Sequence, residues 1–326
     1  EGGSDQLCVG LEVGIDGAVH AVRDMWKATE NNEEWGFLLV DAANAFNIGN
    51  RTAILWTVRH LWPAGTRSVF KYYRHWSHLM IRRDDGYDGY WLTSEEGVTQ
   101  GDPLSMVLYG IGMLPLTRKL KDAVPECIQP WYADDAGAGG EFDDIERFFK
   151  LLQLWGPARG YFPEPTKSIL VVKPQSVERA TARFAHLGFQ IQTGARYLGG
   201  FVGDDENQTE FVDTKVTEWA TGIRRLGTIA RSSPQCAFIA LQKSFQQEWQ
   251  HLQRVVDGIS TRFDPIEDAL RTVFLPNLLG GTTPTVIPPT LRTLLSLPVK
   301  KAGIGIVNPT ESAAIRHQAS AACTAI

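Results

Sequence analysis

Two adjacent aspartates closing a short apolar segment, Trp131-Tyr132-Ala133-Asp134-Asp135, constrain this chain more than any other feature. The apolar segment from Cys127 to Tyr132 reads as a strand. Ala136-Gly137-Ala138-Gly139-Gly140 reads as a loose turn leading to a second strand. The two carboxylates then stand at the tip of a hairpin. Adjacent carboxylates repel each other, so the arrangement suits a site where a divalent cation neutralises both, and hard, oxygen-seeking Mg²⁺ is the natural candidate. Asp-Asp also occurs at ordinary turns, where Asp caps backbone groups. The pair gains meaning only from the segments around it.

Upstream, Trp35-Gly36-Phe37-Leu38-Leu39-Val40 reads as a buried strand ending at Asp41, followed by Ala42-Ala43-Asn44-Ala45-Phe46-Asn47. An acid at the end of an apolar strand can deliver a ligand to a crevice at the sheet edge. It can equally cap the helix expected over Arg51 to Leu61. Between the two acidic strands lies Gly97-Val98-Thr99-Gln100-Gly101-Asp102-Pro103-Leu104-Ser105. Asp102 and Pro103 read as the N-cap and first residue of a helix, and Gly101 lets backbone come close to a ligand.

In this order the segments resemble the palm of a reverse transcriptase. Strand-Asp41 with Ala45-Phe46-Asn47 resembles motif A, Gln100 to Ser105 resembles motif B, and Tyr132-Ala133-Asp134-Asp135 resembles motif C. Pro165-Thr166-Lys167-Ser168, before a strand over Ile169 to Val172, resembles motif D. Tyr197-Leu198-Gly199-Gly200-Phe201 resembles motif E, the primer grip. The flavour is nearest to non-long-terminal-repeat retrotransposon enzymes. The resemblance is strong from Trp35 to Gly203 and weaker over residues 241–249 and 297–306.

The resemblance implies an α+β fold: a right-hand polymerase palm with partial fingers and a mostly helical thumb. A fingers helix would occupy residues 1–35, the palm 36–205 with an inserted fingers segment at 51–100, and the thumb 206–326, the break falling at Asp204-Asp205-Glu206-Asn207. It implies RNA-directed DNA polymerisation by a mobile-element enzyme. Two Mg²⁺ ions, or Mn²⁺, would be held by Asp41, Asp134 and Asp135. Ala45, Phe46, Gln100 and Gly101 would contact the nucleotide, the Phe46 ring excluding a 2′-hydroxyl. Lys167 would protonate or charge-stabilise pyrophosphate, and Leu198, Gly199 and Gly200 would hold the primer end. The implied partners are an RNA or DNA template, a DNA primer and deoxynucleoside triphosphates. Two alternatives stay open: an RNA-dependent RNA polymerase, and a catalytically inactive nucleic-acid-binding relic. Asn47 stands where many relatives carry a second acid, and only Arg23 and Lys27 supply basic residues ahead of motif A.

Net charge by itself opposes a nucleic-acid partner, since the chain carries a formal −5. Its distribution answers that. From Arg51 to Arg83 there are Arg51, Arg59, Arg67, Lys71, Arg74, Arg82 and Arg83 with no Asp or Glu. Arg67, Lys71 and Arg74 are spaced for one helical face, as a template-side phosphate tract requires. Arg224, Arg225 and Arg231 form a weaker cluster. Four scattered cysteines and no Cys-x-x-Cys pair argue against zinc knuckles and disulfides, and fit a reducing intracellular compartment, nuclear or cytoplasmic. The apolar run Leu104 to Leu116 is too short to span a bilayer, so no membrane is expected. The opening Glu1-Gly2-Gly3-Ser4 reads as part of a longer polyprotein with further domains elsewhere.

Overall fold

A computed structural model describes residues 5–7, 13–82, 89–280 and 286–324. The chain is a mixture of helix and sheet that divides into two compact units. The first comprises residues 1–18 and 24–193, the second residues 19–23 and 194–326. Of the hairpin turn that the sequence suggests over Asp84 to Gly89, residues 84–88 lie outside the described residues, as do Arg83 and the first four residues, while Gly89 begins a strand.

The first unit is built around a five-stranded sheet. Its strands are β1 (Trp35–Val40), β4 (Trp131–Tyr132), β5 (Asp135–Glu141), β6 (Ile169–Val172) and β7 (Gln190–Gln192); β2 (Ser77–Arg82) and β3 (Gly89–Ser94) form a separate ribbon. The order is β4-β5-β1-β6-β7, with β1 antiparallel to both neighbours and β6 parallel to β7. β1 is apolar throughout because it is central, and Phe37 and Leu38, which face opposite ways, are both fully buried. The helices are α1 (Gly14–Ala28), of which residues 19–23 are assigned to the second unit, α2 (Ala45–Ile48), α3 (Arg51–Leu61), α4 (Pro63–Tyr73), α5 (Ser105–Ala123), α6 (Phe142–Trp155) and α7 (Val177–Phe184). The apolar run at the start of α5 is core: Leu108, Tyr109, Met113 and Leu114 are buried. No helix among the described residues is long and apolar enough to cross a membrane.

One expectation fails here. The Gly-rich stretch after Asp135 is not a turn. It is part of β5, paired with β1 from Trp35↔Glu141 to Val40↔Ala136. The glycines are there because aromatic rings lie across the strand. A Cβ at Gly137 would stand 2.8 Å from the Phe37 ring, and one at Gly139 would stand 3.3 Å from Trp35.

The second unit contains a hairpin, β8 (Gly194–Tyr197) and β9 (Gly200–Gly203), followed by α8 (Asp205–Ala230), α9 (Pro234–Ala240), α10 (Gln246–Val255), α11 (Asp264–Ala269), α12 (Leu275–Leu278), α13 (Pro289–Ser296) and α14 (Pro309–Thr324). The polar break at Asp204 is the N-cap of α8, its carboxylate accepting from the Asn207 N–H at 2.8 Å. Residues 241–249 and 297–306 meet: Gln242 and Gln246 donate to the carbonyls of Ile304 and Gly305 at 2.7 and 3.1 Å. Arg292 makes two bonds to Glu267, at 2.7 and 2.8 Å, and a third to the Ile306 carbonyl.

Candidate active site

Asp41 follows β1 directly, and Val40 is paired with Ala136 across the ladder. The next position on β5 toward the tip is Asp135, so Asp41 and Asp135 lie at the same end of two adjacent strands. Asp134 stands beside them in the two-residue turn between Tyr132 and Asp135, which are themselves paired. The carboxylates feel one another. Burial, then the charges of Asp134 and Asp41, push the Asp135 carboxyl up to about 6, although it still reaches solvent. Burial and Asp41 likewise raise Asp134.

The turn is held in an unfavoured shape. Ala133 has φ 53°, the left-handed region that L residues avoid at a cost of roughly 1 kcal/mol. Buried Gln6 grips it from both sides, accepting from the Ala133 N–H at 2.8 Å and donating to its carbonyl at 3.2 Å. Tyr161, fully buried against Trp131, donates its hydroxyl to the Asp134 carbonyl at 2.9 Å. Burial, ahead of the surrounding Tyr109 and aspartates, holds its pKa well above the usual phenol value, so it stays a donor. Sequence reading missed both clamps, since no spacing links Gln6 or Tyr161 to the acids.

Asp41 does not cap α3. Asn50 does, accepting from the Ala53 N–H at 2.9 Å. The Asp41 backbone is instead stitched to the loop before β6: its N–H donates to Ser168 Oγ at 3.2 Å and its carbonyl accepts from Glu164 N–H at 2.8 Å. That loop carries Lys167, which is exposed and ion-paired to Glu164 at 2.6 Å. The hydrogen bond to Glu164, then the charges of Glu164 and Asp41, raise its pKa.

Ala45 is buried, while Phe46 is half-buried and stacks on Tyr109 of α5, ring centroids 4.6 Å apart and tilted by 20°. The Phe46 carbonyl accepts from Val98 N–H at 2.8 Å, which ties α2 to the segment that carries Gln100. Gln100 and Gly101 are exposed. Gly101 has φ 90° with open space where a Cβ would be, so its backbone is free to meet a ligand. Asp102 and Pro103 do not open the helix as expected; α5 begins at Ser105. The Asp102 carboxylate is drawn elsewhere, accepting from Leu104 N–H at 2.8 Å and from the Tyr73 hydroxyl, so it closes a turn before the helix.

Arg67, Lys71 and Arg74 are exposed and line one groove between α3 and α4. Arg51 leaves the basic tract. It is buried, and its guanidinium donates to the carbonyls of Ser94, Glu96 and Gly97 at 2.7 to 3.0 Å. In the second unit, Arg224 pairs with Asp268 and Arg231 donates to Asn277. Arg23 donates to the Val255 carbonyl at the end of α10. Leu198 and Gly199 form the turn of the β8–β9 hairpin, and Gly200 begins β9.

Among the described residues no group of three or more His, Cys, Asp or Glu side chains is gathered to hold a metal by itself. The donor set still suits Mg²⁺, which is commonly held by one or two carboxylates with substrate phosphates completing the shell. Mutually repelling carboxylates whose charge is disfavoured gain most from such an ion.

No protein-family model and no curated protein matches the chain. Among solved structures it is similar to telomerase from Candida albicans in complex with a TWJ fragment of telomeric RNA, with TM-score 0.45, 10% identity, and coverage of 86% of this chain and 56% of that one. It is also similar to telomerase from Candida tropicalis with the same kind of fragment, at TM-score 0.41 and 11% identity, covering 94% and 52%. Apo Candida tropicalis telomerase truncated of its C-terminal domain matches at TM-score 0.39 and 11% identity, covering 58% and 38%. The chain spans well under two thirds of the length of each, and at these scores a functional reading rests on the residues themselves.

Proposed function

We propose that the chain carries the catalytic core of an RNA-directed DNA polymerase of mobile-element type. The observation that carries the reading is the register of β1 and β5, which sets Asp41 and Asp135 at one end of neighbouring strands with Asp134 in the turn between β4 and β5. Asp41 and Asp134 would hold Mg²⁺, or Mn²⁺, with Asp135 supporting. Bound there, the ions would lower the pKa of a primer 3′-hydroxyl and neutralise charge on the leaving pyrophosphate.

The chain's own residues do the positioning. Gln6 and Tyr161 fix the tip that presents the acids. Lys167 keeps its proton and acts as a fixed positive charge near Asp41 rather than as an acid. Phe46, seated on Tyr109, excludes a ribose 2′-hydroxyl, and the open backbone at Gly101 receives nucleotide or template. Leu198 to Gly200 hold the primer end.

Primer extension on RNA and DNA templates, with deoxy- and ribonucleotides and with and without Mg²⁺, tests this. Extension should need Mg²⁺ and deoxynucleotides, fall by at least about 10²-fold in Asp134→Asn, and gain ribonucleotide incorporation in Phe46→Val. Extension that persists in Asp134→Asn would end the reading.

A further inference from the structure

The groove between α3 and α4 is built from two helix faces. Thr52, Leu55, Trp56 and Arg59 come from α3, and Thr66, Arg67, Phe70 and Lys71 from α4, with Arg74 at its end. It is an open trough of about 650 Å³. Its two aromatic rings are not core: Trp56 is 61% and Phe70 49% exposed. Beside each ring lies a basic or polar group, the His60 ring 4.8 Å from that of Trp56 and the Arg74 guanidinium 5.7 Å above Phe70.

No acid lines the groove, and among the described residues no carboxylate pairs with Arg59, Arg67, Lys71 or Arg74. In a chain of net charge −5 this concentration of unneutralised cations is a local field of the opposite sign. Cations alone would suit any polyanion. Exposed flat rings set among them add a second requirement, a polyanion that also offers flat faces. A duplex hides its base faces in the stack; an unpaired strand exposes them.

We propose that the α3–α4 groove binds an unpaired nucleic-acid strand, with bases stacking on Trp56 and Phe70 and phosphates on Arg59, Arg67, Lys71 and Arg74. It rests on the nucleic-acid part of the function proposed above and makes this groove the path of the single-stranded template beyond the copied position.

The test is fluorescence anisotropy with labelled twelve-nucleotide strands, rU12 and dT12, and a twelve-base-pair duplex, over a salt series. Trp56→Leu/Phe70→Leu keeps the apolar surface and removes the rings. It should weaken both single strands about tenfold, leave the salt slope unchanged and barely alter duplex binding. Arg67→Gln/Lys71→Gln/Arg74→Gln should flatten the single-strand slope by about two units. Circular dichroism checks that both variants stay folded. A preference for rU12 over dT12, or the reverse, tells which strand the groove serves, and either supports the proposal. Equal affinity for duplex and single strands, or ring variants that bind like the parent chain, would overturn it. Asp134→Asn should lose extension yet bind like the parent chain, so a parent chain that binds the strands but extends no primer counts against the polymerase reading alone, and a ring variant that extends primers and binds like the parent chain counts against the groove alone.

Discussion

The β4–β5 and β8–β9 hairpins both close on two residues, and in both the first is a non-glycine residue in the left-handed region: Ala133 at φ 53° and Leu198 at φ 44°. They are held in different ways. In β8–β9 the second residue, Gly199, is also left-handed, so the pair matches the twist that antiparallel strands prefer. One outside bond helps: His251 Nε2 lies 2.9 Å from the Leu198 carbonyl. Arg254 faces His251 Nδ1 at 3.1 Å, and a guanidinium can only donate, so Nδ1 accepts and Nε2–H donates to Leu198. In β4–β5 Asp134 is not left-handed, and the sequence offers neither Gly nor Asn to the turn. Buried Gln6 takes both polar groups of Ala133, and Tyr161 takes the carbonyl of Asp134. The difference teaches that the acidic tip is shaped by distant side chains, whereas the other tip is half made by its own residues.

The largest test of that contrast removes each clamp. Gln6→Leu strands a buried N–H and a buried carbonyl and should cost about 3 kcal/mol in urea unfolding, together with loss of primer extension. His251→Leu strands one carbonyl of a turn that is otherwise well formed and should cost about 1 kcal/mol. Equal losses would erase the contrast.

A smaller effect sharpens it. Leu198→Asn creates Asn-Gly, the pair best suited to two left-handed positions, and should raise stability by about 0.5 kcal/mol. If primer binding drops while stability rises, Leu198 is kept for contact with a ligand and not for the turn.

The smallest effect concerns charge at the acidic tip. The Asp135 carboxyl titrates at about 6 in the folded chain against an ordinary 3.8. Between those values the folded state binds more protons than the unfolded one, so this group's contribution to stability falls as pH rises through the window and stays lost above it. Asp135→Asn should therefore flatten the thermal midpoint against pH between about 4 and 6 and gain most over the parent chain at pH 7 and above. Mg²⁺ should raise the parent's midpoint at pH 7 and affect the variant less. Identical pH profiles would show that the acids do not burden one another.

Much of this was legible along the chain because its causes are local. The helix expected over Arg51 to Leu61 forms over those residues, since Asn50 caps it and Pro63 starts the next. The stripe Phe142, Ile145, Phe149, Leu152 and Trp155 becomes α6, with Asp143 and Asp144 in its first turn where the helix dipole favours acids. The apolar run ending at Asp41 gave β1, but of the strand expected over Cys127 to Tyr132 only Trp131–Tyr132 forms, with Ile128 making an isolated bridge to Gly139.

Other features were decided only by what met what in three dimensions. Glycines at 137, 139 and 140 favour a turn by composition, yet they lie in a strand, where Phe37 and Trp35 fill the space a side chain would take at 137 and 139 and Cys127 fills it at 140. Arg51 and Arg67 look alike in sequence. One is buried among the carbonyls of Ser94, Glu96 and Gly97, while the other faces an open groove. Asp102 reads as a helix cap, but Tyr73, twenty-nine positions away, takes its carboxylate. The left-handed Ala133 has no local signature at all, because its partner Gln6 is 127 residues distant. Patterning of apolar residues, caps and turns acts between near neighbours, so the sequence alone determines the elements and the order of the acidic motifs. Which charges are buried, which glycines clear a path for rings and which turn is forced depend on contacts between distant segments, and those exist only in the folded chain.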